Sequence, residues 1–331
     1  MNTMSTTELR IGVLGCADIA LRRVLPAITA VPGVRTATVG SRDLARARAA
    51  IAVHGGTAVE GYAAVLESDV DAVYVPLPAA LRPGWVEAAL RAGKHVLAEK
   101  PVAPAFERTA ELFELARAQG LTLMDNVMFV HHDQHTAVAE LVADGAIGRL
   151  RSFHAAYAVP ARPDGDIRLD PELGGGALLD VGVYPVRAAV RFLGEDLAVE
   201  GAVASGRPVD TAGSVLLRAP DDVAVHLTYG MDDAYCARYE LRGTEGRIVV
   251  ERAFTPPADL EPEVTLHRGA GAERVRLAAM DQVAATVAAF ADAARCGRVV
   301  DERQVLGQAA VLEAVRRRTA FPHIPGQKGP K

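Results

Sequence analysis

Lys94-His95-Val96-Leu97-Ala98-Glu99-Lys100-Pro101 is the stretch that decides how this chain is read. Val96, Leu97 and Ala98 form an apolar run of the kind found in strands of a parallel sheet covered on both faces. Glu99 and Lys100 then fall at the carboxyl end of that strand, the edge at which open α/β sheets bind ligands. Composition singles out Lys100. The chain has 4 Lys against 32 Arg, and two of the four, Lys328 and Lys331, lie in the tail. Arg keeps its proton in a protein, whereas a desolvated Lys can release one. Lys100 is therefore a candidate catalytic group, with a strand-end salt bridge at Glu99 as the structural alternative.

Working outward, the same strand–helix alternation surrounds this stretch. Leu9–Leu14 reads as a strand that runs into Gly15-Cys16-Ala17-Asp18-Ile19-Ala20, followed by a helical pattern to about Ala30. Such a turn lets a pyrophosphate approach backbone N–H groups at a helix start. Against G-x-G-x-x-G/A, Gly15 is the first position, Ala17 replaces the second glycine and Ala20 is the third. Val34–Gly40 predicts the second strand, ending in Ser41-Arg42-Asp43. Ser41 and Arg42 suit a ribose 2′-phosphate. Asp43 is read as the cap of a helix over Leu44–Val53, with a ribose-binding acid as the alternative. Asp71–Leu77 predicts a strand ending in Pro76-Leu77-Pro78, and Arg82-Pro83 opens a helix. A helix from Ala105 to Gln119 and a strand over Leu121–Val127 complete a doubly wound parallel sheet, placed at residues 1–127.

The pattern changes in residues 128–331. His131 and His135 are four apart, but no third ligand stands at a familiar offset, so a helix start capped by Asp133 is expected and no metal. After a strand at Leu150–Val159 comes a polar loop with Asp164, Asp166 and Arg168. Gly174-Gly175-Gly176 then opens a helix that puts Asp180 and Tyr184 one turn apart on one face, with Pro185 set to disturb it. Strands are predicted at Gly213–Arg218, Val223–Tyr229, Arg238–Gly243 and Arg247–Arg252, and two Ala-rich helices close the chain. Runs of strands after a helix indicate an α+β domain with an antiparallel sheet. Val215, Leu217, Val225 and Leu227 are expected on its uncovered face, driving assembly of copies.

Composition excludes several classes. Half the residues are hydrophobic, so the chain is globular. A net charge of −5 argues against a general nucleic-acid or anionic-membrane surface. Three distant cysteines suit a reducing compartment, and no apolar run is long enough to span a bilayer; a cytoplasmic location is expected.

Ile11-Gly-Val-Leu-Gly-Cys16, Ala92-Gly-Lys-His-Val-Leu-Ala-Glu-Lys-Pro101, Gly145-Ala-Ile-Gly148 and Gly174-Gly-Gly-Ala-Leu-Leu-Asp-Val-Gly-Val-Tyr-Pro185 together resemble the glucose–fructose oxidoreductase/inositol dehydrogenase (Gfo/Idh/MocA) family across nearly the whole chain. The resemblance implies a Rossmann domain followed by an α+β domain with a large open-faced, mainly antiparallel sheet. It also implies a catalytic lysine at Lys100 and a cis Lys100–Pro101 bond. Tyr184 stands where many members have His, a variant similar to the NADP-using branch. Asp166 to Gly176 is similar to the nucleotide-sugar 3-ketoreductases of deoxysugar (antibiotic) biosynthesis. Arg82, Val130 and Asp133 depart from common residues of the family, which bears on substrate choice.

The expectation is an NADPH-dependent ketoreductase acting on a keto group, at C3, of a dTDP-linked keto-deoxysugar. Lys100, Tyr184 and Asp180 form the catalytic set, and a nearby ammonium would favour the Tyr184 phenolate. Gly15, Cys16, Ala17, Asp18, Ile19, Ser41, Arg42, Leu77, Pro78, Arg82, Glu99 and Lys100 are the expected NADP(H) contacts. Arg168 joins Lys100, Asp180 and Tyr184 at the substrate. A homodimer or homotetramer is expected. The rivals are an NADP-dependent dehydrogenase of a free sugar or trans-dihydrodiol, and a non-catalytic NADP-sensing regulatory protein.

Overall fold

The first six strands of the computed structural model, which describes residues 8–319 and 321, lie in one parallel sheet. They are β1 (Leu9–Leu14), β2 (Val34–Ser41), β3 (Thr57–Glu60), β4 (Ala72–Val75), β5 (His95–Ala98) and β6 (Leu123–Asp125), in the order β3-β2-β1-β4-β5-β6. The helices between them are α1 (Leu25–Ala30), α2 (Leu44–His54), α3 (Ala63–Glu67), α4 (Arg82–Arg91) and α5 (Phe106–Ala118). Strand order reverses between β1 and β4, the crevice where ligands bind in such sheets. Val96, Leu97 and Ala98 are fully buried in β5, as their uninterrupted apolar run requires. The Asp43 carboxylate accepts from Ala45 N at 2.9 Å and caps α2 as expected. The short, half-exposed edge strand β3 has no alternation to announce it.

The second sheet holds β7 (Leu150–Ala158), β8 (Ala198–Ser205), β9 (Ala212–Ala219), β10 (Val223–Gly230), β11 (Cys236–Gly243), β12 (Gly246–Glu251), β13 (Glu263–Arg268) and β14 (Gly271–Arg276). Its order is β14-β13-β12-β11-β7-β10-β9-β8, antiparallel except for the β7–β10 pair. The fold class expected from sequence is therefore the one observed. The sequence missed β8 and β14, the two edges, where exposed or small residues weaken the pattern, and the short β13 beside β14.

The remaining helices are α6 (Asp133–Ala143), α7 (Val183–Leu193), α8 (Gln282–Arg295) and α9 (Glu302–Thr319). Val283, Val287 and Phe290 of α8 share an apolar cluster with β1 and α1, so the chain returns to the first sheet near its end. Helix α9 joins both cores: Val305 packs with α4 and α5, while Val311, Leu312 and Val315 pack with the second sheet.

Two local expectations need correction. The cap of α6 is His132, whose Nδ1 accepts from Gln134 N at 3.2 Å, while Asp133 is already helical. His135 is buried with its Nδ1 2.9 Å from the Tyr239 hydroxyl, and no cluster among the described residues could hold a metal. Val215, Leu217, Val225 and Leu227 do not face solvent. They are buried in the core under the helices, because period-2 alternation assigns them to the covered face. The opposite face presents Ser214, Leu216, Arg218, His226 and Thr228.

Candidate active site

Two backbone features bring the site together. The first is the turn after β1, where Gly15 has φ +115°, a conformation that strains any residue with a Cβ. The following residues start a helix whose N–H groups lack partners within its first turn. The second is the glycine run before α7. A Cβ at Gly175 would lie 2.4 Å from the Arg168 carbonyl oxygen, so only glycine lets the polar loop and the helix start meet. Asp210 fastens that start, accepting at Oδ2 from Leu178 N and at its carbonyl from Ala177 N, both at 2.7 Å. Leu178–Gly182 then forms a π-helical turn immediately before α7. It accompanies Pro185, which has no N–H to give to the regular helical ladder, and it carries Asp180.

Between these features lies a cavity of about 470 Å³. Ala17, Asp18, Ile19, Leu77, Pro78, Arg82, Glu99, Lys100, Arg168, Asp180 and Tyr184 all line it, so most of the residues expected at the site converge. Gly15, Cys16, Ser41 and Arg42 stand outside its lining, at the ends of β1 and β2.

Lys100 follows β5, with a cis bond to Pro101 as expected. Its ammonium donates to the Asp180 carbonyl and, at 3.0 Å, to Asp180 Oδ1. Asp180 Oδ2 pairs with Arg168 Nε at 2.9 Å, and Arg168 also meets Asp166 Oδ1 at 3.2 Å. Asp180 is thus shared by two cations. Burial pushes its carboxyl up, but Lys100 and then Arg168 outweigh this and hold it below the ordinary range.

Tyr184 departs from expectation. The Lys100 ammonium lies 5.1 Å from the centre of the Tyr184 ring, over its face rather than at its hydroxyl. Burial, then the nearby Tyr157 and acidic groups, push the Tyr184 hydroxyl well above its usual value. The phenolate is disfavoured, not favoured, which leaves Tyr184 a weak acid. Its ring packs 4.8 Å from that of Tyr157, whose own hydroxyl burial pushes up to about 12.

Glu99 and Arg82 are committed to the protein. The Glu99 Oε1 accepts from Tyr74 Oη at 2.7 Å and Asn126 Nδ2 at 2.6 Å. The buried Arg82 donates to the Pro101 carbonyl and, at 2.7 Å, to the Leu77 carbonyl. Its guanidinium therefore splints the ends of two loops in the wall of the cavity. Burial lowers its affinity for the proton to about pKa 10. Sequence reading missed Tyr74, Asn126 and Asp210. Tyr74 and Asn126 are polar residues inside or beside apolar runs and Asp210 stands in a polar loop, signals that attract attention only once the partner is known.

The first domain fits a dinucleotide carrying a 2′-phosphate. Arg42 is exposed at the end of β2 and has no ion pair among the described residues, while the Asp43 carboxylate is spent on the α2 cap. Arg46 adds a contact not foreseen, donating to the Cys16 carbonyl at 2.7 Å and steadying the glycine turn.

Comparison with known proteins agrees with this architecture. Residues 9–127 match the family described as "Oxidoreductase family, NAD-binding Rossmann fold", and residues 135–249 match the "GFO/IDH/MocA C-terminal domain". The chain is 48% identical over 321 residues to a dTDP-3,4-didehydro-2,6-dideoxy-alpha-D-glucose 3-reductase of Actinomadura kijaniata, covering 95% of this chain and 97% of that one. It is 49% identical over 330 residues to the protein of the same name from Streptomyces violaceoruber, at 95% and 96% coverage. A solved structure of a 3-ketoreductase from Actinomadura kijaniata, in complex with NADP and TDP-benzene, superposes with a TM-score of 0.91 at 48% identity, covering 94% of this chain and 98% of that one. That reductase has also been solved with a tyrosine and, separately, a lysine substituted. The two positions are separated by the same interval as Tyr184 and Lys100.

Proposed function

This chain belongs to the GFO/IDH/MocA oxidoreductase family, and from that premise we propose that it is an NADPH-dependent ketoreductase acting at C3 of a dTDP-linked keto-deoxysugar. The observation that carries the reading is the Lys100 ammonium, held by Asp180 in a cavity whose other wall is the dinucleotide turn. The similarity to dTDP-sugar 3-reductases over 95% of the chain supports the substrate class.

The chemistry follows from charge. When bound, NADPH supplies the hydride to the carbonyl carbon. The carbonyl electron pair moves onto oxygen, which needs a positive partner and then a proton. Lys100 stabilises that developing negative charge and donates the proton. Asp180 holds the ammonium in place. Tyr184, with its raised hydroxyl, orients the substrate through its ring and O–H. Gly15 to Ile19 would receive the pyrophosphate, and Ser41 and Arg42 the 2′-phosphate.

The deciding experiment follows NADPH oxidation with a dTDP-linked 3-keto-deoxysugar and, in parallel, calorimetric binding of dTDP in the presence of NADP. Turnover together with dTDP binding is the expected result. Turnover of free sugars with no dTDP binding would favour the free-sugar dehydrogenase instead. Cofactor binding without turnover of any substrate would favour the regulatory reading.

A homodimer or homotetramer belongs to the same proposal, with its surface reassigned. The helix-free face of the second sheet carries the exposed Val203 and Leu216 and the stacked pair His154–His226, 4.8 Å between ring centres. Sedimentation showing a monomer at micromolar concentration would count against it. Three free cysteines fit a reducing compartment such as the cytoplasm, and no helix among the described residues is long and apolar enough to cross a membrane.

A further inference from the structure

The cavity lining contains five cationic side chains, and their commitments differ. Lys100 is held by Asp180. Arg168, the expected phosphate contact, is neutralised between Asp166 and Asp180. Arg82 is bonded to two backbone carbonyls. That leaves Arg23, exposed on the dinucleotide-side helix, and Arg162, half-buried in the second-domain loop that follows β7. Neither has an ion pair among the described residues. The Arg162 Nε is buried with no hydrogen-bond partner, as are those of Arg82 and Arg168, but Arg82 is tied to backbone carbonyls and Arg168 to two carboxylates, and Arg162 to neither. Buried polar groups are paired in folded proteins, so a half-buried guanidinium that lines a cavity with no carboxylate or carbonyl partner among the described residues is open to an acceptor within it. The field of Arg162 reaches into the site, where it lowers the proton affinity of both Asp180 and Tyr157.

A diphosphate brings two charged groups into this cleft and needs a cation that is not already neutralised. Guanidinium geometry matches phosphate oxygens two at a time. We propose that Arg162, and not Arg168, holds the diphosphate of the nucleotide-sugar substrate. The inference rests on the substrate class proposed above. It divides the labour in one loop: Arg162 binds, while Arg168 acts as a positioning residue that fixes Asp180 and through it Lys100.

The test is calorimetry of dTDP with the NADP-loaded enzyme, alongside NADP affinity and steady-state kinetics, for the native protein, Arg162→Ala, Arg162→Lys and Arg168→Ala. Arg162→Ala should weaken dTDP binding at least tenfold, leave NADP affinity within twofold and raise KM by a larger factor than it lowers kcat. Arg162→Lys should recover part of the dTDP affinity. Arg168→Ala should instead lower kcat more than it weakens dTDP. Unchanged dTDP affinity in Arg162→Ala would overturn the assignment, as would a tenfold loss of NADP affinity, which would return Arg162 to the cofactor. A native enzyme that fails to bind dTDP would remove the substrate class itself, an outcome distinct from either.

Discussion

Two carboxylate–cation pairs join the ends of neighbouring strands to the same helical segment, and they are built in opposite ways. At the end of β5, Lys100 reaches Asp180 on the turn before α7. In β6, Asp125 pairs with Arg187 within α7. The first pair keeps 11% and 19% of its side chains exposed and lines the cavity, whereas the second keeps 0% and 3% and is sealed. Arg187 also leaves Nε and Nη1 without partners, and Asp180 by contrast is shared with a second cation. The difference shows that an ion pair between these domains is not by itself a mark of chemistry. The sealed pair clamps the domains and has no room for a substrate. The open pair presents a transferable proton to one.

The comparison is sharpest where one partner is removed. Arg187→Met strands Asp125 as an unpaired buried charge and should cost about 3–5 kcal/mol of stability by denaturant unfolding. Replacing both, as Asp125→Leu with Arg187→Met, should recover much of that loss. A single-variant loss below about 1 kcal/mol would mean that the sealed pair is no clamp, since lost buried pairs cost more than this.

The open pair should respond in rate instead. Lys100→Met and Lys100→Ala should each lower turnover about 10²-fold, the lower range for general acid catalysis, with cofactor affinity little changed. Stability should fall less than for Arg187→Met, because Asp180 keeps Arg168. Tyr184→Phe, which removes only a hydroxyl disinclined to ionise, should lower turnover less than either. Near-normal turnover in Lys100→Ala would return Lys100 to a purely structural role.

A cation outside both pairs provides a smaller effect. Arg42 should make the native protein bind NADPH at least tenfold more tightly than NADH, and Arg42→Asp should erase the preference. Equal native affinities would sink the 2′-phosphate assignment.

The smallest effect lies in acid. The Asp180 carboxyl titrates below its unfolded value of about 3.9. Its contribution to stability is therefore complete above that value and is lost as pH falls through the lower folded one. The stability difference between the native protein and Asp180→Asn should be flat from about pH 7 to 5 and shrink below about pH 4. A difference that shrinks already near pH 6 would contradict the direction of the shift.

How far the sequence could be read depended on the range of the physics involved. The β5 strand, the glycine turn, the Asp43 cap and the two closing helices follow from apolar periodicity and local capping, which act within a few residues. The edge strands β3 and β14 carry little apolar surface, so periodicity has nothing to report there. The face of β9 and β10 was read the wrong way round for a related reason. Alternation tells which residues share a face, but what covers that face is a property of α7 and α9, packed from elsewhere in the chain.

The sequence by itself determined the order of elements, the parallel first sheet, the family resemblance and the presence of Lys100, Asp180 and Tyr184 in one region. Each of these is written in local patterns or in motifs read residue by residue. Only the tertiary structure decided which charges are paired and which are free. Lys100 and Asp180 are 80 residues apart in sequence, and Arg187 and Asp125 are 62 apart. Nothing near either member names its partner. Arg162 and Arg168 look alike as two arginines of one polar loop, and Arg82 looks like a third contact. Their different roles appear only when folding supplies carboxylates and carbonyls to some and leaves Arg162 lining the cavity without an ion pair among the described residues. Electrostatic pairing is set by distance and desolvation in space, and those are quantities that a chain acquires on folding.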